Sequence, residues 1–272
     1  MLLGQPEAAA PPSDLRVHCE GAGSPARRAL GLAYPGWDYR QGCLTCQVQL
    51  QEAPPATAWE VFRPEGPLAV LPLGAGKAQV VWSGPLWACR DRQTLGETAF
   101  LEALAGALPQ GLVVSHLLEP PASFPVACRL ASRLSRGRAV LCGESGHRCH
   151  PVGGQGLNLC WRDVAVLWQE AAAVASGERK LRDLPRRYAR RRWPDALLTL
   201  VATDLLIRVF SNQWPLLLPL RWLGLQALAR SAPLRGIALA IASRGPVSIG
   251  TLPGGIDSSR LRGEQSPLFR RA

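Results

Sequence analysis

Lysine is almost absent from this sequence, since Lys77 and Lys180 are the only two among its 31 basic residues and the rest are arginines. A net charge of +11 would ordinarily suggest a nucleic-acid ligand. The arginines, however, are spread along the chain apart from a cluster at 186–192, and neither an aromatic-rich RNA-binding motif nor a zinc-finger spacing accompanies them. Such a bias can also reflect the base composition of the gene. We therefore predict no nucleic-acid partner and interpret the charge as a basic surface that faces solvent or a membrane.

A secretory signal and a long apolar run are also missing. A membrane-spanning helix requires about 18–20 clean apolar residues. The most apolar segments, 196–210 and 214–229, are interrupted by Asp204, Arg208 and Arg221. We predict packed or interfacial helices there. Eight cysteines without a signal peptide indicate a reducing cytoplasm, and we expect a cytoplasmic protein with peripheral contact at the inner face of the membrane.

The pattern of apolar residues predicts a mixed α/β fold. Residues 1–13 are rich in Ala and Pro and are predicted to be irregular, and residues 245–272 are predicted to form a flexible tail. Strand composition, interrupted by Pro and Gly, marks four segments that suggest an antiparallel sheet: 43–50, 59–63, 67–73 and 78–83. A buried strand is predicted at 138–142. Helical spacing marks three segments: 94–108, 157–175 and 184–210.

The cysteines and histidines of two segments raise the question of a metal. Cys43 and Cys46 form a lone C-x-x-C within a predicted strand, where residues three apart point to opposite faces, and we interpret them as ordinary strand cysteines. The stretch CGESGHRCHPVGGQGLNLCWRDVAVLW, from Cys142 to Trp168, also contains His147, Cys149 and His150, all zinc-ligand types. Two of them are adjacent, which is awkward for chelation, and no second ligand pair lies nearby. We predict no metal site.

The glycines of the same stretch allow two further interpretations. Gly154 and Gly156 follow a strand and open a helix, as in the dinucleotide fingerprint G-x-G-x-x-G, but Leu159 occupies the third glycine position and weakens that interpretation. Alternatively, Gly153, Gly154 and Gly156 let the backbone approach a flat ligand closely. The helix that follows would direct its unpaired N–H groups and positive dipole end at that ligand. The plain alternative is a glycine-rich turn without a ligand.

The segment VLCGESGHRCHPVGGQGLNLCWRDVAVL closely resembles the Gly-Asp motif region of flavin-dependent aromatic hydroxylases of the para-hydroxybenzoate hydroxylase type. It is most similar to the ubiquinone-biosynthesis hydroxylase branch, whose pattern is H-P-x-x-G-Q-G-x-N-x-G-x-x-D. WEVFRPEGPLAVLPL (59–73) is similar to that branch's substrate-domain strands, FSNQWPLL (210–217) to its C-terminal helices, and CEGAGSPARRALGL (19–32) to the Asp-Gly motif A-D-G-x-x-S-x-x-R. The resemblance covers about residues 15–245.

This resemblance implies the C-terminal part of that family's FAD-binding fold, with an antiparallel substrate-domain sheet and C-terminal helices. The implied parts are a partial FAD-binding domain at 14–36 and 132–185, a substrate-binding sheet domain at 37–131 and a helical region at 186–244. The implied activity is FAD-dependent hydroxylation of an aromatic, polyprenylated phenol in quinone biosynthesis, with NAD(P)H and O2 as co-substrates. The alternative hypothesis is a non-catalytic remnant or a partner subunit of a quinone-biosynthetic assembly.

The resemblance also implies which residues hold FAD, in three groups: Glu20, Gly21 and Arg28; Gly143 and Glu144; Pro151, Gly153, Gly154, Gly156, Leu157 and Asn158. Glu144 would bond the ribityl chain, residues 151–154 would lie beside the isoalloxazine, and backbone N–H groups near Leu157 and Asn158 would face its N1–C2=O edge. Glu20 and Glu144 each replace an aspartate of the family pattern and are one methylene longer. No side chain is assigned as a catalytic acid or base.

The family's first strand, G-x-G-x-x-G turn and helix, which hold the ADP part of FAD, have no counterpart in the sequence. We therefore expect an N-terminally truncated chain that binds FAD weakly or not at all by itself and leaves apolar surface of the flavin sheet uncovered. Polyprenylated rings reside in the bilayer, so a membrane-facing surface is predicted within 186–230. Arg190, Arg191 and Arg192 are expected to belong to that surface and to tolerate replacement by Gln without unfolding.

Overall fold

The computed structural model describes residues 14–51, 54 and 57–245. The predicted irregular segment 1–13 and, apart from Gly245, the predicted tail lie outside these described residues. The mixed α/β prediction is confirmed, since a curled antiparallel sheet is followed by long helices. The division into domains stays a prediction.

The larger sheet has six strands, all paired in antiparallel fashion. In chain order they are β2 Gly36–Gln51, β3 Trp59–Val61, β4 Leu68–Gly74, β5 Lys77–Pro85, β6 Val113–Leu130 and β9 His147–Arg148. Their spatial order is β3-β4-β5-β2-β6-β9. The four segments that the sequence marked as strands all lie in this sheet, and their ends agree within two residues except that β2 begins seven residues before the predicted start at 43.

One face of this sheet is covered by two helices, α2 (Leu86–Gln93) and α3 (Glu97–Ala105). Alternate residues of β2, among them Leu44 and Cys46, pack there against Phe100 of α3 and are almost fully buried. Cys43 is buried as well but does not belong to this cluster. Burial raises the pKa of each of the two thiols to about 12, so both stay protonated at neutral pH. They are structural cysteines, as predicted.

A smaller sheet contains β1 (Arg16–His18), β7 (Ser135–Arg136) and β8 (Ala139–Leu141) in the order β1-β8-β7. β1 and β8 are parallel. The carboxyl ends of parallel neighbours lie at the same edge of a sheet, so the loops that follow β1 and β8 meet there. The helix α1 (Pro25–Ala29) follows the first of these loops.

Four further helices complete the described chain: α4 Gln155–Ala175, α5 Leu184–Phe210, α6 Leu218–Arg230 and α7 Ala232–Arg244. The sequence predicted the first two almost to their ends. Tyr188 of α5 is fully buried against β8 and donates a hydrogen bond to the Leu141 carbonyl at 2.9 Å. None of the helices in the described ranges combines the length and apolar character needed to cross a bilayer.

The strand β6 contains three prolines, Pro120, Pro121 and Pro125, and the strand assignments made from the sequence missed it. β2 pairs with β6 along nearly its whole length, whereas β9 pairs only with its last two residues. Most of the second edge of β6 therefore has no strand partner among the described residues. Proline lacks an N–H group and is tolerated at such an edge. Nearby backbone N–H groups of Leu117 and Ser123 donate instead to side chains of Glu97 and Gln93.

An apolar stripe on α4 faces solvent. Leu157, Trp161, Val164 and Trp168 follow one another at intervals of three or four residues and are 48–74% exposed. The sequence predicted uncovered apolar surface on the flavin sheet, whereas this stripe lies on a helix, so the expectation for the sheet stays a prediction.

The arginine cluster at 186–192 is not one surface patch, which corrects the expectation for Arg190, Arg191 and Arg192. Arg190 is exposed, but Arg191 donates to Glu170 of α4 at 3.0 Å. Arg192 is only 2% exposed, and its guanidinium binds Asp163 and Asp195. Replacing Arg192 would remove the guanidinium that two buried carboxylates share and would leave them only His147 and Arg162 as side-chain partners among the described residues. The triple replacement therefore cannot be neutral to folding.

Candidate functional site

The loop after β1 is held together by Glu20. Its Oε2 accepts hydrogen bonds from the Ser24 hydroxyl and, at 3.4 Å, from the Ala26 N–H, while Oε1 lies 3.4 Å from Nδ1 of His18. Gly21 has a φ of 81°, a left-handed conformation that suits glycine. The carboxylate of Glu20 therefore shapes its own loop, and the reach of its extra methylene is used there.

The arginine that joins the two motifs is Arg27, which the sequence analysis missed. It is buried and donates to the carbonyls of Ser145 at 2.9 Å and Ala22 at 2.8 Å. Its guanidinium lies over the ring of Tyr34. Arg28, which was predicted, is exposed, and the Gly23 carbonyl is its one hydrogen-bond acceptor among the described residues. Counting along the pattern from Glu20 places its final arginine at 27, so the signal was present in the sequence.

The loop after β8 rests on Asp163 of α4. The N–H of Gly143 donates to Asp163 Oδ2 at 2.8 Å, and Nε2 of His147 lies 2.7 Å from the same oxygen. Burial alone would raise the pKa of Asp163, but the hydrogen bond and charge of His147 and the charge of Arg192 hold it below its ordinary value. Asp163 is therefore ionised at neutral pH. It stands at the last position of the family pattern quoted above, although it was not named as a site residue.

A cavity of about 630 Å³ lies between this loop region and the larger sheet. The sheet contributes Glu60, Leu71, Val81 and Phe124 among others. Six of the predicted residues line the opposite wall: Glu144, Pro151, Gly153, Gly154, Gly156 and Leu157. Gly143 lies behind them, and the loop of Glu20 and Gly21 does not reach this cavity.

The glycines at the start of α4 leave the backbone bare on the cavity side. Gly153 and Gly154 have φ values of 68° and 60°, which L side chains rarely adopt. A Cβ built on Gly154 would meet no protein atom within 4 Å. Gly154 is also the N-cap residue, and no side chain caps the helix. The positive end of a 21-residue helix is therefore open where Gly153 and Gly154 leave the cavity wall without side chains.

Two carboxylates line this cavity, one hydrogen-bonded to the protein and one without such a bond in the described ranges. Glu60 accepts a hydrogen bond from the Gly153 N–H at 2.9 Å, which ties the sheet to the loop. The surrounding protein raises the pKa of Glu60 by desolvation, and the hydrogen bond from Gly153 opposes that rise. The carboxylate of Glu144 makes no hydrogen bond within the described ranges, so it is available to a ligand. The side chain of Asn158 donates to the Ala242 carbonyl of α7 at 3.1 Å, and Asn158 is not among the residues that line the cavity.

The histidines are engaged in ways that oppose the metal interpretation. His147 binds Asp163, as described. His150 is buried, its Nδ1 accepts from the Val152 N–H at 3.1 Å, and its Nε2 lies 3.1 Å from Gln41 Oε1. Burial lowers the pKa of His150 to about 4, so it is neutral. Among residues 14–51, 54 and 57–245 no three His, Cys, Asp or Glu side chains are grouped to hold a metal ion.

Comparison with known proteins decides the family. A family model described as "FAD binding domain" matches residues 12–199, which include both motif loops and the start of α4. The chain belongs to the FAD binding domain family. The helix start and bare glycine loop just described lie inside the matched segment.

Curated relatives from the FAD binding domain family agree with the predicted branch. The chain is 32% identical to 3-demethoxyubiquinol 3-hydroxylase of Escherichia coli over 83% of its own length and 58% of the relative's. It is 31% identical to ubiquinone hydroxylase UbiL of Rhodospirillum rubrum over 91% and 57%, respectively. The human ubiquinone biosynthesis monooxygenase COQ6 is 29% identical over 85% and 57%. The chain thus spans somewhat more than half the length of these relatives.

Solved structures confirm the fold class. The p-nitrophenol 4-monooxygenase PnpA of Pseudomonas putida matches with a TM-score of 0.66 at 19% identity, covering 85% of this chain and 60% of that one. CabE, an aromatic hydroxylase from angucycline biosynthesis, matches with a TM-score of 0.58 at 25% identity, covering 84% and 46%. The architecture is that of FAD-dependent aromatic hydroxylases.

The residues present fit one end of FAD. A flat isoalloxazine suits the bare glycine wall, and the open helix start suits a group that becomes negatively charged on reduction. A free carboxylate at Glu144 suits ribityl hydroxyl groups, which donate hydrogen bonds. For the diphosphate, no strand, G-x-G-x-x-G turn and helix are found within the described ranges.

Proposed function

We propose that the cavity between the sheet and the start of α4 binds the isoalloxazine end of FAD, and that this site serves the hydroxylation of an aromatic ring. The open N-terminus of α4, preceded by two left-handed glycines at the cavity wall, carries this proposal. FAD supplies the redox chemistry, with NAD(P)H as reductant and O2 as the source of the hydroxyl oxygen. The protein's part is to hold the ring, exclude water and stabilise negative charge.

The proposed roles follow the positions in the cavity. Pro151, Gly153 and Gly154 flank the ring, and the backbone N–H groups of Leu157 and Asn158 face its electron-rich edge. Glu144 accepts a hydrogen bond from the ribityl chain. Asp163 acts indirectly, because it fixes the Gly143 N–H and His147 and so holds the loop that carries Glu144.

The proposed substrate is a phenol with an apolar chain, as the names of the relatives indicate for their own substrates. A second cavity of about 460 Å³ supports this. It shares Gly153 with the first cavity, and its walls are almost entirely apolar, with Leu206 and Phe210 of α5 and Ile241 of α7 among them. A ring held near the first cavity could therefore extend an apolar tail into the second, where burial is favourable.

A binding comparison tests the flavin proposal. The described residues hold the isoalloxazine end and show no diphosphate fingerprint, so FAD and riboflavin should bind the purified chain with similar, weak affinity. Quenching of flavin fluorescence on titration with protein measures both. We expect saturable quenching and dissociation constants that agree within a few-fold. If neither flavin gives a saturable signal, the site is wrong; if FAD co-purifies stoichiometrically and riboflavin does not bind, the weak-binding prediction is wrong.

We also propose peripheral contact with a membrane, through the segment that includes α6. Trp214 is 69% exposed, Leu216 88% and Trp222 57%. Side chains of this size gain about 1.5–3 kcal/mol each when they leave water completely. Interfacial tryptophan is typical of proteins that lie on a bilayer. Such contact would bring a substrate with an apolar tail to the second cavity, which is lined by the neighbouring helices.

Sedimentation with neutral phosphatidylcholine vesicles measures this contact without a contribution from lipid charge. We expect the wild-type chain to sediment with the vesicles. The variant Leu216→Gln/Trp222→Gln should lose affinity for them by a factor of at least about ten, since two anchoring side chains are lost. The matched control is Leu73→Gln/Trp87→Gln, because these two side chains are also exposed but lie on the larger sheet and α2. Equal binding by both variants would refute the proposed contact.

A further inference from the structure

A groove of about 890 Å³ lies at the β7 edge of the smaller sheet, between residues 132–138 and the start of α5. Six exposed arginines form two rows along it: Arg133, Arg136 and Arg138 on one side and Arg182, Arg186 and Arg190 on the other. Asp183 is the acidic residue among those that line it. The groove is separate from the cavity at the start of α4, with which it shares no lining residue.

Most of these arginines lack a partner in the described part of the chain. Arg136 donates to the Leu30 carbonyl, and Arg138 lies 3.3 Å from Asp14. The other four, Arg133, Arg182, Arg186 and Arg190, make no hydrogen bond or ion pair with described residues.

The other face of α5 shows the opposite arrangement. Arg187 and Arg191 both bind Glu170 of α4, at 2.9 Å and 3.0 Å. The helix thus separates arginines that serve the fold from arginines that face the groove. Four arginines without a described partner therefore meet around one concave surface, whereas other unpartnered arginines, such as Arg40 and Arg90, lie apart from it.

The arginines on the α5 side of the groove repel one another. Arg186 and Arg190 lie on α5 four residues apart, a spacing at which like charges destabilise a helix, and Arg182 lies in the short turn just before that helix. A second row of the same sign faces them across the groove. An anion between the rows would remove this repulsion, and the planar guanidinium fork matches the oxygens of a phosphate with two parallel hydrogen bonds. Trp193, whose indole N–H donates to the Ala131 carbonyl at 3.1 Å, adds an apolar wall.

We propose that this groove is a binding site for a phosphate-bearing anion, either a soluble diphosphate or the phosphate of a lipid headgroup. The groove is larger than a single phosphate ion, and its opposed rows suit a ligand with two phosphoryl groups or several phosphate oxygens. The proposal rests on the arginine geometry alone and does not depend on the flavin site or on the membrane contact of α6.

Two variants of equal charge test the site. The groove variant is Arg182→Gln/Arg186→Gln/Arg190→Gln, and none of its side chains has a described partner to orphan. The control is Arg40→Gln/Arg90→Gln/Arg230→Gln, three exposed arginines that line other surfaces and have no described partner either. Pyrophosphate binding is measured by calorimetry at low salt, and vesicle binding by sedimentation with phosphatidylcholine vesicles with and without phosphatidic acid. Thermal melts compare the stability of the variants.

We expect wild type and control to bind at least one phosphate probe. The groove variant should lose affinity for that probe by a factor of at least about ten, because charge-assisted hydrogen bonds are lost. Pyrophosphate binding identifies a soluble ligand as sufficient. If pyrophosphate does not bind and phosphatidic acid strengthens vesicle binding beyond that to phosphatidylcholine alone, the ligand is the lipid headgroup. The proposal is overturned if wild type binds neither probe or if both variants lose affinity equally. Should the groove variant melt at a lower temperature, Arg186→Gln against Arg90→Gln repeats the comparison with one charge.

Discussion

Replacing Arg192 by methionine is expected to lower the free energy of unfolding by about 3–5 kcal/mol, the usual cost of removing one partner from a buried ion pair. The guanidinium is almost fully buried and lies 2.6 Å from Asp163 Oδ1, in contact with Asp195 Oδ2 and 3.2 Å from the Leu159 carbonyl. Methionine fills similar space but removes the guanidinium that these two buried carboxylates share, and leaves them only His147 and Arg162 as side-chain partners in the described part of the chain. Urea denaturation followed by circular dichroism measures the loss.

The neighbouring Arg190 provides the control. It lies on the same helix but is exposed and has no described partner, so Arg190→Met should change the unfolding free energy by no more than about 0.5 kcal/mol. Arg192→Lys keeps the charge without the fork and should give an intermediate value. The pKa of Asp163 is lowered in the folded protein, so the stability that depends on its ionised form is present at neutral pH and lost as the pH falls below about 4. A loss below about 1 kcal/mol for Arg192→Met at pH 7 would contradict this account.

Valine at position 154 should abolish saturable flavin quenching, or weaken it at least tenfold, while leaving most of the fold intact. Gly154 has a φ of 60°, and an added side chain would meet no protein atom nearby. It would instead project into the space assigned to the isoalloxazine. The left-handed conformation costs an L residue about 1–2 kcal/mol, so a modest loss of stability is expected as well.

Gly177→Val separates the two effects, because Gly177 also has a positive φ, of 78°, and open space around its Cα, but follows the other end of α4. Both variants should lose similar stability, and only Gly154→Val should lose flavin. If the two weaken flavin binding equally, the effect comes from destabilisation and the site is misplaced. Gly154→Ala and Gly177→Ala repeat the comparison with less strain if the valine variants fail to fold.

The parts of the site that were predictable from the sequence are local. The glycines at 153–156, between a buried strand and a periodic apolar stretch, predicted a turn followed by a helix, which the structure begins at Gln155, two residues before the predicted start. The helices at 155–175 and 184–210 were visible for the same reason, because their apolar spacing persists over many turns. The resemblance added the identity of the ligand and the Asp-Gly loop at 19–27. No local pattern in the sequence would have connected that loop to the glycines at 153–156.

The parts that were missed depend on contacts between distant residues. Asp163 and Arg192 are separated by 29 positions, and nothing local shows that both are buried. The five arginines of 186–192 comprise two that face solvent, two partners of Glu170 and one core residue, because successive helix positions point in different directions. Arg27 and Arg28 are adjacent and chemically equal, so only the count along the motif or the fold itself separates their roles.

The strand β6 shows that a residue type unfavourable to local structure can serve the whole molecule. Its prolines obscured the strand in the sequence, and its second edge has few strand partners among the described residues. An open edge of that length invites another chain to add a strand and start aggregation. Pro120, Pro121 and Pro125 cannot donate to an incoming strand, and Glu97 and Gln93 already occupy the N–H groups of Leu117 and Ser123. The same residues that made the strand hard to recognise therefore protect the folded protein from self-association.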